Sequence, residues 1–474
     1  MHNQKHDART TQDNPLSQAA FSTLSLHPDL LDNLTTLGYE AMTPIQQQSL
    51  PDILAGKDVI AQGQTGSGKT AAFGLGLLHK LNVTKPYVQS LVLCPTRELA
   101  DQVANEVRKL ARKLGSIKVL TLCGGMPFGP QIGSLEHGAH IIVGTPGRIE
   151  DHMNRGTLKL DRVGTLVLDE ADRMLEMGFQ SVLDSIIGKI PKQRQTLLFS
   201  ATFPDQIQSI SKRIMNKPVM VTVTSTHDDS SIEQHFYKVS DDEQRMMALR
   251  LLLLQHKPVS TLVFCNTKAE TEAVAKALVW HGFSALALNG DLEQRDRDQV
   301  MVRFANKSIS VLVATDVAAR GLDIDALDAV INYHIAHDPE IHLHRIGRTG
   351  RAGSKGIACS LYRENPYRMT VLGDYLGRVI EGEKLPSAEL LKQTPIKPLM
   401  TTLQIGGGKK QKIRPGDILG ALTGEQGITG AQVGKIHIMD NWSYVAVSRD
   451  AVKTAIRKLS EGQLKGRSFR VRQI

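Results

Sequence analysis

The sequence predicts an α/β protein with two consecutive doubly wound parallel-sheet domains, followed by a small α+β domain. Short apolar runs rich in β-branched residues alternate with longer helical patterns over residues 57–202, which is typical of α/β domains. A polar stretch at 225–231 interrupts this alternation, which then starts again over 260–335. The last 74 residues follow a different strand order. A chain of 474 residues is long enough to form two or three separate cores.

Five runs predict the strands of the first domain, and we expect that domain to occupy residues 21–224. The runs are KDVIA (57–61), SLVLCP (90–95), AHIIVGT (139–145), TLVLDE (165–170) and QTLLFSAT (195–202). They are apolar on both faces, as strands buried in a parallel sheet are. We expect residues 1–20 to be a disordered tail and residues 225–231 to be a linker.

Four further runs predict the second sheet, in a domain over 232–382: STLVFCNT (260–267), SALALNG (284–290), ISVLVAT (309–315) and AVINYHI (329–335). Three prolines indicate a linker at 383–400. Residues 401–474 then carry four strand-like runs, TTLQI, GKIHIM, SYVAVS and SFRVRQ, with helical patterns near 417–422 and 449–459. The order βαββαβ predicts a sandwich of the RRM type.

Composition favours an ordinary globular protein, with 41% hydrophobic and 22% charged residues. No run approaches the roughly 18 to 20 apolar residues of a membrane span, and the polar N-terminus lacks an apolar signal core. The four cysteines are far apart, without a CxxC pair, so we expect buried thiols and no structural metal. These features predict a cytoplasmic protein.

The positive charge is concentrated at the C-terminal end. The net charge is +9, and residues 401–474 hold seven Lys and six Arg against five acidic residues, which is +8. Such a concentration indicates a polyanion partner, with a solubilising face as the alternative.

A phosphate-binding pattern follows the first strand run. Residues 63–70, GQTGSGKT, fit G-x-x-x-x-G-K-[ST] between a strand and a helix. The glycines allow backbone N–H groups to approach phosphate oxygens. Lys69 should reach the β- and γ-phosphates, and the Thr70 hydroxyl should ligate Mg²⁺.

A carboxylate pair supplies the second half of the expected site. Asp169 and Glu170 follow the apolar run TLVL, at the sheet edge where α/β proteins bind ligands. Asp169 could hold Mg²⁺, and Glu170 could orient and deprotonate the attacking water. A solvated strand end is the alternative for such a pair.

The tetrapeptide Asp169-Glu170-Ala171-Asp172 is DEAD, and the chain resembles the DEAD-box RNA helicases over about residues 21–384. The resemblance implies two RecA-like domains, ATP hydrolysis with Mg²⁺, and a Q motif in which Gln46 reads the adenine edge and Phe21 stacks on the ring. Gly63 departs from the Ala of many relatives. The nucleotide-binding residues implied are Phe21, Gln46, Gln64, Thr65, Gly66, Ser67, Gly68, Lys69, Thr70 and Asp323.

The resemblance also implies the RNA-contacting and coupling residues. Ser200 and Thr202 belong to the motif that couples ATP hydrolysis to strand separation. His344, Arg348 and Arg351 resemble the motif that completes the ATP site, with the two arginines as arginine fingers and Asp316 and Arg320 as nearby partners. The RNA-contacting positions implied in the two domains are Pro95, Arg97, Gly125, Thr145, Arg148, Gln294, Arg297 and Thr315.

The two-domain site implies a mechanism. ATP and RNA together favour closure of the domains, which assembles Glu170 with the two arginines. The closed state bends one RNA strand and expels its partner locally, so we expect unwinding of short duplexes.

The tail resembles the DbpA-type RNA-binding domain, through the run KKQKIRPGDILGAL (409–422) and the segments at 434–436 and 444–447. The resemblance implies recognition of a large-subunit ribosomal RNA hairpin near the peptidyl-transferase centre, during large-subunit assembly. Only Trp442 and Tyr444 lie near the stacking positions of ordinary RRMs, so we do not expect standard sheet-face binding, and Tyr444 could equally be structural. The expected RNA contacts are Lys409, Lys410, Lys412, Arg414, Lys435, Arg467, Arg470 and Arg472.

Three functions remain open at this point. The leading hypothesis is a helicase acting on ribosomal RNA, with a ribosome assembly intermediate as its partner. An ATP-gated RNA clamp without a dedicated ribosomal target would use the same residues. A DNA helicase is disfavoured by the complete Q motif and the RRM-like tail. We expect a monomer that does not contact membranes.

Overall fold

A computed structural model describes residues 19–63, 66–223, 232–319, 327–350, 355–461 and 464–474, apart from the side chains of residues 340 and 366. Almost all of the predicted N-terminal tail, and the whole predicted linker at 225–231, lie outside these ranges. The chain forms two compact units that divide near residue 226, and the C-terminal domain belongs to the same unit as the second α/β domain.

The first domain is built on a seven-stranded sheet in the order β3-β4-β2-β5-β6-β1-β7, with parallel pairing throughout. Its strands are β1 (Val59–Gln62), β2 (Ser90–Leu93), β3 (Val119–Leu122), β4 (Ile141–Gly144), β5 (Thr165–Asp169), β6 (Gln195–Ser200) and β7 (Val219–Thr222). All five predicted runs are strands. The two additional strands, β3 and β7, lie at the edges of the sheet.

Helices cover the sheet on both sides, so the domain has two apolar core clusters. They are α1 (Pro28–Thr36), α2 (Pro44–Leu54), α3 (Lys69–Lys80), α4 (Arg97–Leu110), α5 (Phe128–Glu136), α6 (Pro146–Asn154), α7 (Ala171–Glu176), α8 (Gln180–Gly188) and α9 (Asp205–Ile214). The sequence of α4 shows why it is helical. Thr96 caps its first turn by accepting from Leu99 N, and its buried residues recur every three or four positions between Leu99 and Leu110.

The second domain repeats this plan with a six-stranded parallel sheet in the order β10-β11-β9-β12-β13-β8. Its strands are β8 (Ile232–Lys238), β9 (Thr261–Cys265), β10 (Ala285–Leu288), β11 (Val311–Thr315), β12 (Ala329–Asn332) and β13 (Gly356–Tyr362). Its helices are α10 (Asp242–His256), α11 (Lys268–Trp280), α12 (Gln294–Ala305), α13 (Asp316–Ala319), α14 (Pro339–Ile346) and α15 (Pro366–Leu376).

The C-terminal domain, called the module below, has the predicted order βαββαβ. It comprises β14 (Met400–Ile405), α16 (Pro415–Thr423), β15 (Val433–Ile438), β16 (Ser443–Ser448), α17 (Val452–Glu461) and β17 (Val471–Gln473). The strands pair antiparallel in the order β15-β16-β14-β17. One face of the sheet packs against α16 and α17 in an apolar core.

The segment between the second domain and the module packs against the second domain. Glu383 N donates to Phe236 O at 2.7 Å, and a short 3₁₀ helix at Ala388–Lys392 contacts α10. Leu385, Leu390 and Leu391 add to the core of the domain. Because the segment is held by these contacts, it cannot extend as far as a flexible linker of the same length would.

All four cysteines are buried and carry no disulfide. Among the described residues, no helix is both long and apolar enough to cross a bilayer.

Candidate nucleotide and RNA sites

The phosphate loop follows β1 and leads into α3, as the pattern GQTGSGKT predicts. Gly66 and Gly68 have φ angles of 88° and 92°, which favour glycine because a Cβ is strained there. Lys69 begins α3, is only 7% exposed, and donates from Nζ to Gly63 O at 2.7 Å. A buried lysine that bonds to a loop carbonyl is placed to exchange that partner for a phosphate oxygen. Gln64 and Thr65 lie outside the described residues.

The Q motif contacts this loop directly. Thr43 Oγ1 donates to Ser67 O at 2.7 Å, and Gln46 Nε2 donates to Gly68 O at 3.0 Å. The other end of the Gln46 amide accepts from Thr43 N at 2.9 Å. Both ends of this amide therefore have backbone partners. Adenine recognition by Gln46 stays a prediction, and it requires the amide to exchange these partners for the adenine edge.

Phe21 lies in a short 3₁₀ helix and is 3% exposed. It packs edge-to-face on Tyr39 with ring centroids 6.1 Å apart. Stacking of Phe21 on a nucleotide ring stays a prediction.

Two buried carboxylates stand at the carboxyl end of β5. Burial raises the pKa of Asp169 to about 7; the Lys69 ammonium opposes this shift, and Glu170 adds to it. Glu170 adopts a left-handed φ of 51°. Within the described residues its Oε2 atom accepts no hydrogen bond, and Arg173 Nε lies 3.4 Å away. Buried carboxylate oxygens fit a hard divalent cation, which prefers oxygen ligands.

The last residue of the DEAD run joins this site to the next strand. Asp172 Oδ2 accepts from Ala201 N at 3.2 Å, Thr202 N at 3.0 Å and Thr202 Oγ1 at 2.9 Å. Burial alone would raise the pKa of Asp172, but the hydrogen bonds from Thr202 and the charges of Arg173 and Lys69 outweigh it and lower the pKa. Ser200 Oγ accepts from Asp172 N at 3.3 Å. Sequence reasoning named Ser200 and Thr202 but missed Asp172 as their partner.

The nucleotide elements and the RNA elements of the first domain end at one edge of the sheet, on different strands. The phosphate loop, DEAD and Ser200-Ala201-Thr202 follow the neighbouring strands β1, β5 and β6. The expected RNA elements follow β2, β3 and β4, which form the other half of the sheet.

Hydrogen bonds connect the three RNA elements. Arg97 Nη1 donates to Gly124 O at 2.8 Å, and Gly124 N donates to Thr145 Oγ1 at 3.4 Å. Gly125 has a φ of 72°, which favours glycine, and a Cβ there would displace the Arg97 guanidinium, since it would lie 2.1 Å from Nη1. Arg148 Nη1 donates to Met126 O at 2.9 Å. Pro95 is buried at the end of β2, so its expected contact is through the backbone.

The RNA positions of the second domain are also linked. Ala318 N donates to Thr315 Oγ1 at 3.3 Å, and Arg297 Nη2 donates to Ala318 O at 2.9 Å. Gln294 Nε2 donates to Asp298 Oδ1 at 2.5 Å. The structure therefore brings Arg297 of α12 to the end of β11, whereas the Gln294 bond lies within α12.

Arg345, which sequence reasoning missed, organises the motif that contains His344 and Arg348. It is 2% exposed and makes a bidentate ion pair with Asp316, both bonds at 2.7 Å. It also donates to His334 O at 2.8 Å. Its position inside the HRIGRTGR run (344–351) is the sequence signal that could have identified it. Arg348 is 6% exposed and His344 is half-buried, whereas Arg320, Asp323 and Arg351 lie outside the described residues.

The structure brings most of the predicted basic residues of the module together along two neighbouring segments. Gly406 N donates to Arg470 O at 2.9 Å. Lys465, a residue that sequence reasoning missed, donates from Nζ to Lys412 O at 2.7 Å. Lys435 is separate, on β15 at the opposite edge of the sheet. Eight predicted side chains are exposed: Lys409, Lys410, Lys412, Arg414, Lys435, Arg467, Arg470 and Arg472.

The sheet face on which ordinary RRMs stack bases is covered by the second domain. Tyr444 is 1% exposed and Thr402 is fully buried. Thr402 Oγ1 accepts from Asn306 Nδ2 at 3.1 Å and lies 2.7 Å from Ser308 Oγ. His437 Nε2 lies 3.1 Å from Asn306 Oδ1. Tyr444 therefore has a structural position, and the expectation that standard sheet-face binding does not operate agrees with this packing.

Three families match consecutive parts of the chain. The DEAD/DEAH box helicase family matches residues 43–210, the helicase conserved C-terminal domain matches 243–353, and the DbpA RNA binding domain matches 402–473.

Curated relatives and solved structures extend the similarity over the whole chain. The ATP-dependent RNA helicase DbpA of Escherichia coli is 53% identical over 96% of this chain and 99% of its own length. The ATP-dependent RNA helicase CshA of Limosilactobacillus reuteri is 42% identical over 80% of this chain and 73% of its own length. S. cerevisiae Dbp5 bound to RNA and ADP BeF3 has a TM-score of 0.69 at 30% identity, covering 80% of this chain and all of its own.

Identity at this level over nearly the full length, together with the phosphate loop, the DEAD carboxylates and the RNA-binding module, identifies the family. The chain belongs to the DEAD-box ATP-dependent RNA helicases, in the group that carries a DbpA RNA-binding domain.

Proposed function

We propose that this helicase acts on large-subunit ribosomal RNA during assembly of the large ribosomal subunit, and that the module selects the RNA. The observation that carries the proposal is the match of the module to the DbpA RNA binding domain, in a chain 53% identical to E. coli DbpA. The basic rim formed by the 409–414 and 464–472 segments supports it, because a concentrated positive surface attracts a folded RNA.

At the ATP site, we assign the phosphates to the loop amides and to Lys69, which exchanges Gly63 O for a phosphate oxygen. Glu170 orients and deprotonates the attacking water, since its Oε2 atom has no hydrogen-bond partner within the described residues. Thr70 and Asp169 would hold a Mg²⁺ ion, which supplies charge neutralisation at the phosphates when bound. Arg348 and Arg351 would stabilise the charge that develops on the transferred phosphoryl group.

The hydrogen bonds of Asp172 provide the coupling between ATP and RNA. Asp172 holds Ala201 and Thr202 at the end of β6, and it directly follows the carboxylates that act on ATP. A change at the γ-phosphate therefore has a short covalent and hydrogen-bonded route to the Ser200–Thr202 motif. Closure of the two domains around ATP and RNA would then bend one strand and release its partner over a short duplex.

A binding measurement tests the targeting. The full-length chain is titrated, at one fixed salt concentration, against a large-subunit ribosomal RNA fragment and against an unrelated RNA of equal length. We expect tighter binding of the ribosomal fragment by at least about tenfold. Equal affinities would contradict the proposal and leave the module as a general RNA tether.

An unwinding measurement separates a helicase from an ATP-gated clamp. A short duplex is placed beside the ribosomal hairpin, and strand release is followed with ATP. We expect release that depends on ATP hydrolysis. Stable retention without strand release would favour the clamp.

A further inference from the structure

A cleft lies where the module meets the second domain, at the uncovered end of the sheet. It has a volume of about 180 Å³ and is lined by Arg295, Gln404, Gly406, Trp442, Arg470 and Arg472. Arg295 belongs to α12, whereas the other five residues belong to the module. The cleft is thus formed by two folded parts of the same compact unit.

The chemistry of the cleft suits a nucleotide. Among the described residues that line it, three are arginines and none is acidic. Trp442 offers a half-buried aromatic ring, and the Arg295 guanidinium lies over it with Cζ 4.5 Å from the ring centroid. Aromatic rings and arginine guanidinium groups are the side chains that stack on bases and contact phosphates in single-stranded nucleic acid sites.

Two of the side chains are held in position. Arg472 Nε donates to Gln404 Oε1 at 2.7 Å, and these residues face each other across β14 and β17. Arg470 lies two residues earlier, on the same side of the strand, and is exposed. The cleft is smaller than the roughly 300 Å³ at which pockets for whole small molecules begin, so it can enclose one base of a strand, with the phosphate at its rim, and not a folded element.

The cleft is also next to the expected RNA path of the second domain. Gln294 and Arg297, which are predicted to face RNA, flank Arg295 in the first turn of α12. Successive residues of a helix are rotated by about 100°, so Arg295 faces Trp442 of the module while Arg297 donates to Ala318 O beyond the end of β11. A strand that crosses the start of α12 can contact both sides.

We propose that this cleft binds one nucleotide of a single-stranded RNA segment that passes between the module and the second domain. Its base stacks against the Arg295–Trp442 pair, and its phosphate lies on Arg470 and Arg472. The site would hold the strand that leaves the RNA bound by the module and direct it towards α12. This proposal rests on the proposed function in one respect, namely that the ligand is RNA.

Trp442 provides the reporter. The chain has two tryptophans, and the other, Trp280, is 87% exposed at the end of α11. In a full-length Trp280→Phe background, Trp442 is therefore the sole tryptophan. Addition of unstructured oligoadenylate is expected to quench its fluorescence in a saturable manner, because stacking on a base changes the surroundings of the indole.

Substitutions locate the binding. Arg470→Ala with Arg472→Ala should weaken the quenching titration by on the order of tenfold, and Trp442→Ala should weaken oligoadenylate binding by a similar factor when followed by anisotropy. Trp442→Phe keeps an aromatic face and should retain most of the affinity. Arg457→Ala removes the same kind of charge from the exposed face of α17, and it should leave both titrations unchanged.

Two results would overturn the proposal. One is saturated oligoadenylate binding with unchanged Trp442 fluorescence. The other is equal weakening by Arg457→Ala and by the cleft substitutions, which would show a general charge effect. The preference for ribosomal RNA is measured separately, with other RNAs. If that preference were absent while oligoadenylate still quenched Trp442, the ribosomal target would be rejected and the cleft assignment would stand.

Discussion

At the scale of single residues, two buried carboxylates of the proposed ATP site differ in their hydrogen bonds. Glu170 has an oxygen atom without a hydrogen-bond donor within the described residues, which suits a base. Asp172 has its oxygen occupied by three donors from Ala201 and Thr202, which suits a fixed connection. The two residues are two positions apart and have opposite hydrogen-bonding states, so their substitutions should have different consequences.

Glu170→Gln should lower RNA-stimulated ATP hydrolysis by on the order of 10²- to 10⁴-fold, because an amide cannot accept the proton of the attacking water. Nucleotide binding should persist, since Lys69 and the loop are unchanged. Steady-state phosphate release and a nucleotide-binding titration measure both. The matched substitution Glu136→Gln, at an exposed position on α5, should change neither, and a Glu170→Gln enzyme with normal turnover would refute the assignment.

Thr202→Val removes one donor to Asp172 while keeping the shape of the side chain. We expect duplex unwinding to fall by about tenfold while ATP hydrolysis falls much less, because the hydrogen bond lies between the two activities. The lost bond should also cost about 1 kcal/mol of unfolding free energy. Thr222→Val, at an exposed position in β7, is the control, and a parallel loss of both activities would argue against a coupling role.

At the scale of elements, α14 contains a buried histidine close to the residues that are predicted to complete the ATP site. His342 is 1% exposed and stacks on Phe236, with ring centroids 5.9 Å apart. Burial, together with the charges of Arg345 and Arg378, lowers the pKa of His342 to about 3. Below the ordinary histidine pKa, the unfolded chain binds a proton that the folded domain does not. Stability is therefore present above that pKa and is lost as the pH falls towards 3.

His342→Gln should remove this part of the acid sensitivity. From about pH 6.5 down to about pH 5, the unfolding free energy of the second domain in the natural chain should fall by roughly 1 kcal/mol per pH unit more than in the variant. Denaturant unfolding at several pH values measures the difference. If the difference in unfolding free energy between the two proteins did not change with pH, the pKa of His342 would be the same in the folded and unfolded domain, which would contradict the assignment.

The contact between the module and the second domain depends on buried polar atoms. Thr402→Val would leave Asn306 Nδ2 and Ser308 Oγ without the hydroxyl that both contact, at a cost of roughly 1–3 kcal/mol. We expect the module to become more susceptible to limited proteolysis near residues 396–399, where Ile396 and Leu399 are already exposed. Thr423→Val alters an exposed threonine on α16 and should have no such effect. Equal cleavage rates would contradict a stabilising contact.

Periodicity predicted most strands of the two α/β sheets but missed β3, β7, β8 and β13, of which all except β13 lie at a sheet edge. The predicted strands β2, β5 and β6 are buried along their whole length, and each contains a run of three consecutive large apolar residues. Edge strand β7 has one buried residue, and β8 (IEQHFYK) carries three consecutive polar residues after its first position. Their patterns are short and mixed, because solvent reaches one side, and they resemble those of loops.

At the site, residue type and motif spacing predicted the phosphate loop, the carboxylates and the arginines. The partners of those residues were not predictable in the same way, because Asp172–Thr202 and Arg345–Asp316 join segments about 30 residues apart. The covered face of the module was only partly foreseen. The scarcity of aromatic residues argued against base stacking, but nothing in the pattern placed Asn306 and Ser308 against Thr402.

At the scale of the whole molecule, the module and the second domain form one compact unit. We therefore expect RNA that binds the module to be held at a defined position beside α12, where a flexible tether would allow many positions. We propose that this arrangement selects ribosomal RNA for the helicase to act on.

The most direct test is steady-state ATPase activity, measured with a large-subunit ribosomal RNA fragment and with an unrelated RNA of equal length. The natural chain is compared with a Lys409→Ala, Lys410→Ala variant and with a Lys453→Ala, Arg457→Ala control that loses the same charge from α17. We expect the ribosomal fragment to stimulate the natural chain and the control far better than the unrelated RNA does. In the first variant the preference should shrink by roughly tenfold, with weak general stimulation retained. Equal stimulation of the natural chain by both RNAs would contradict the account, because the module would then not select the RNA.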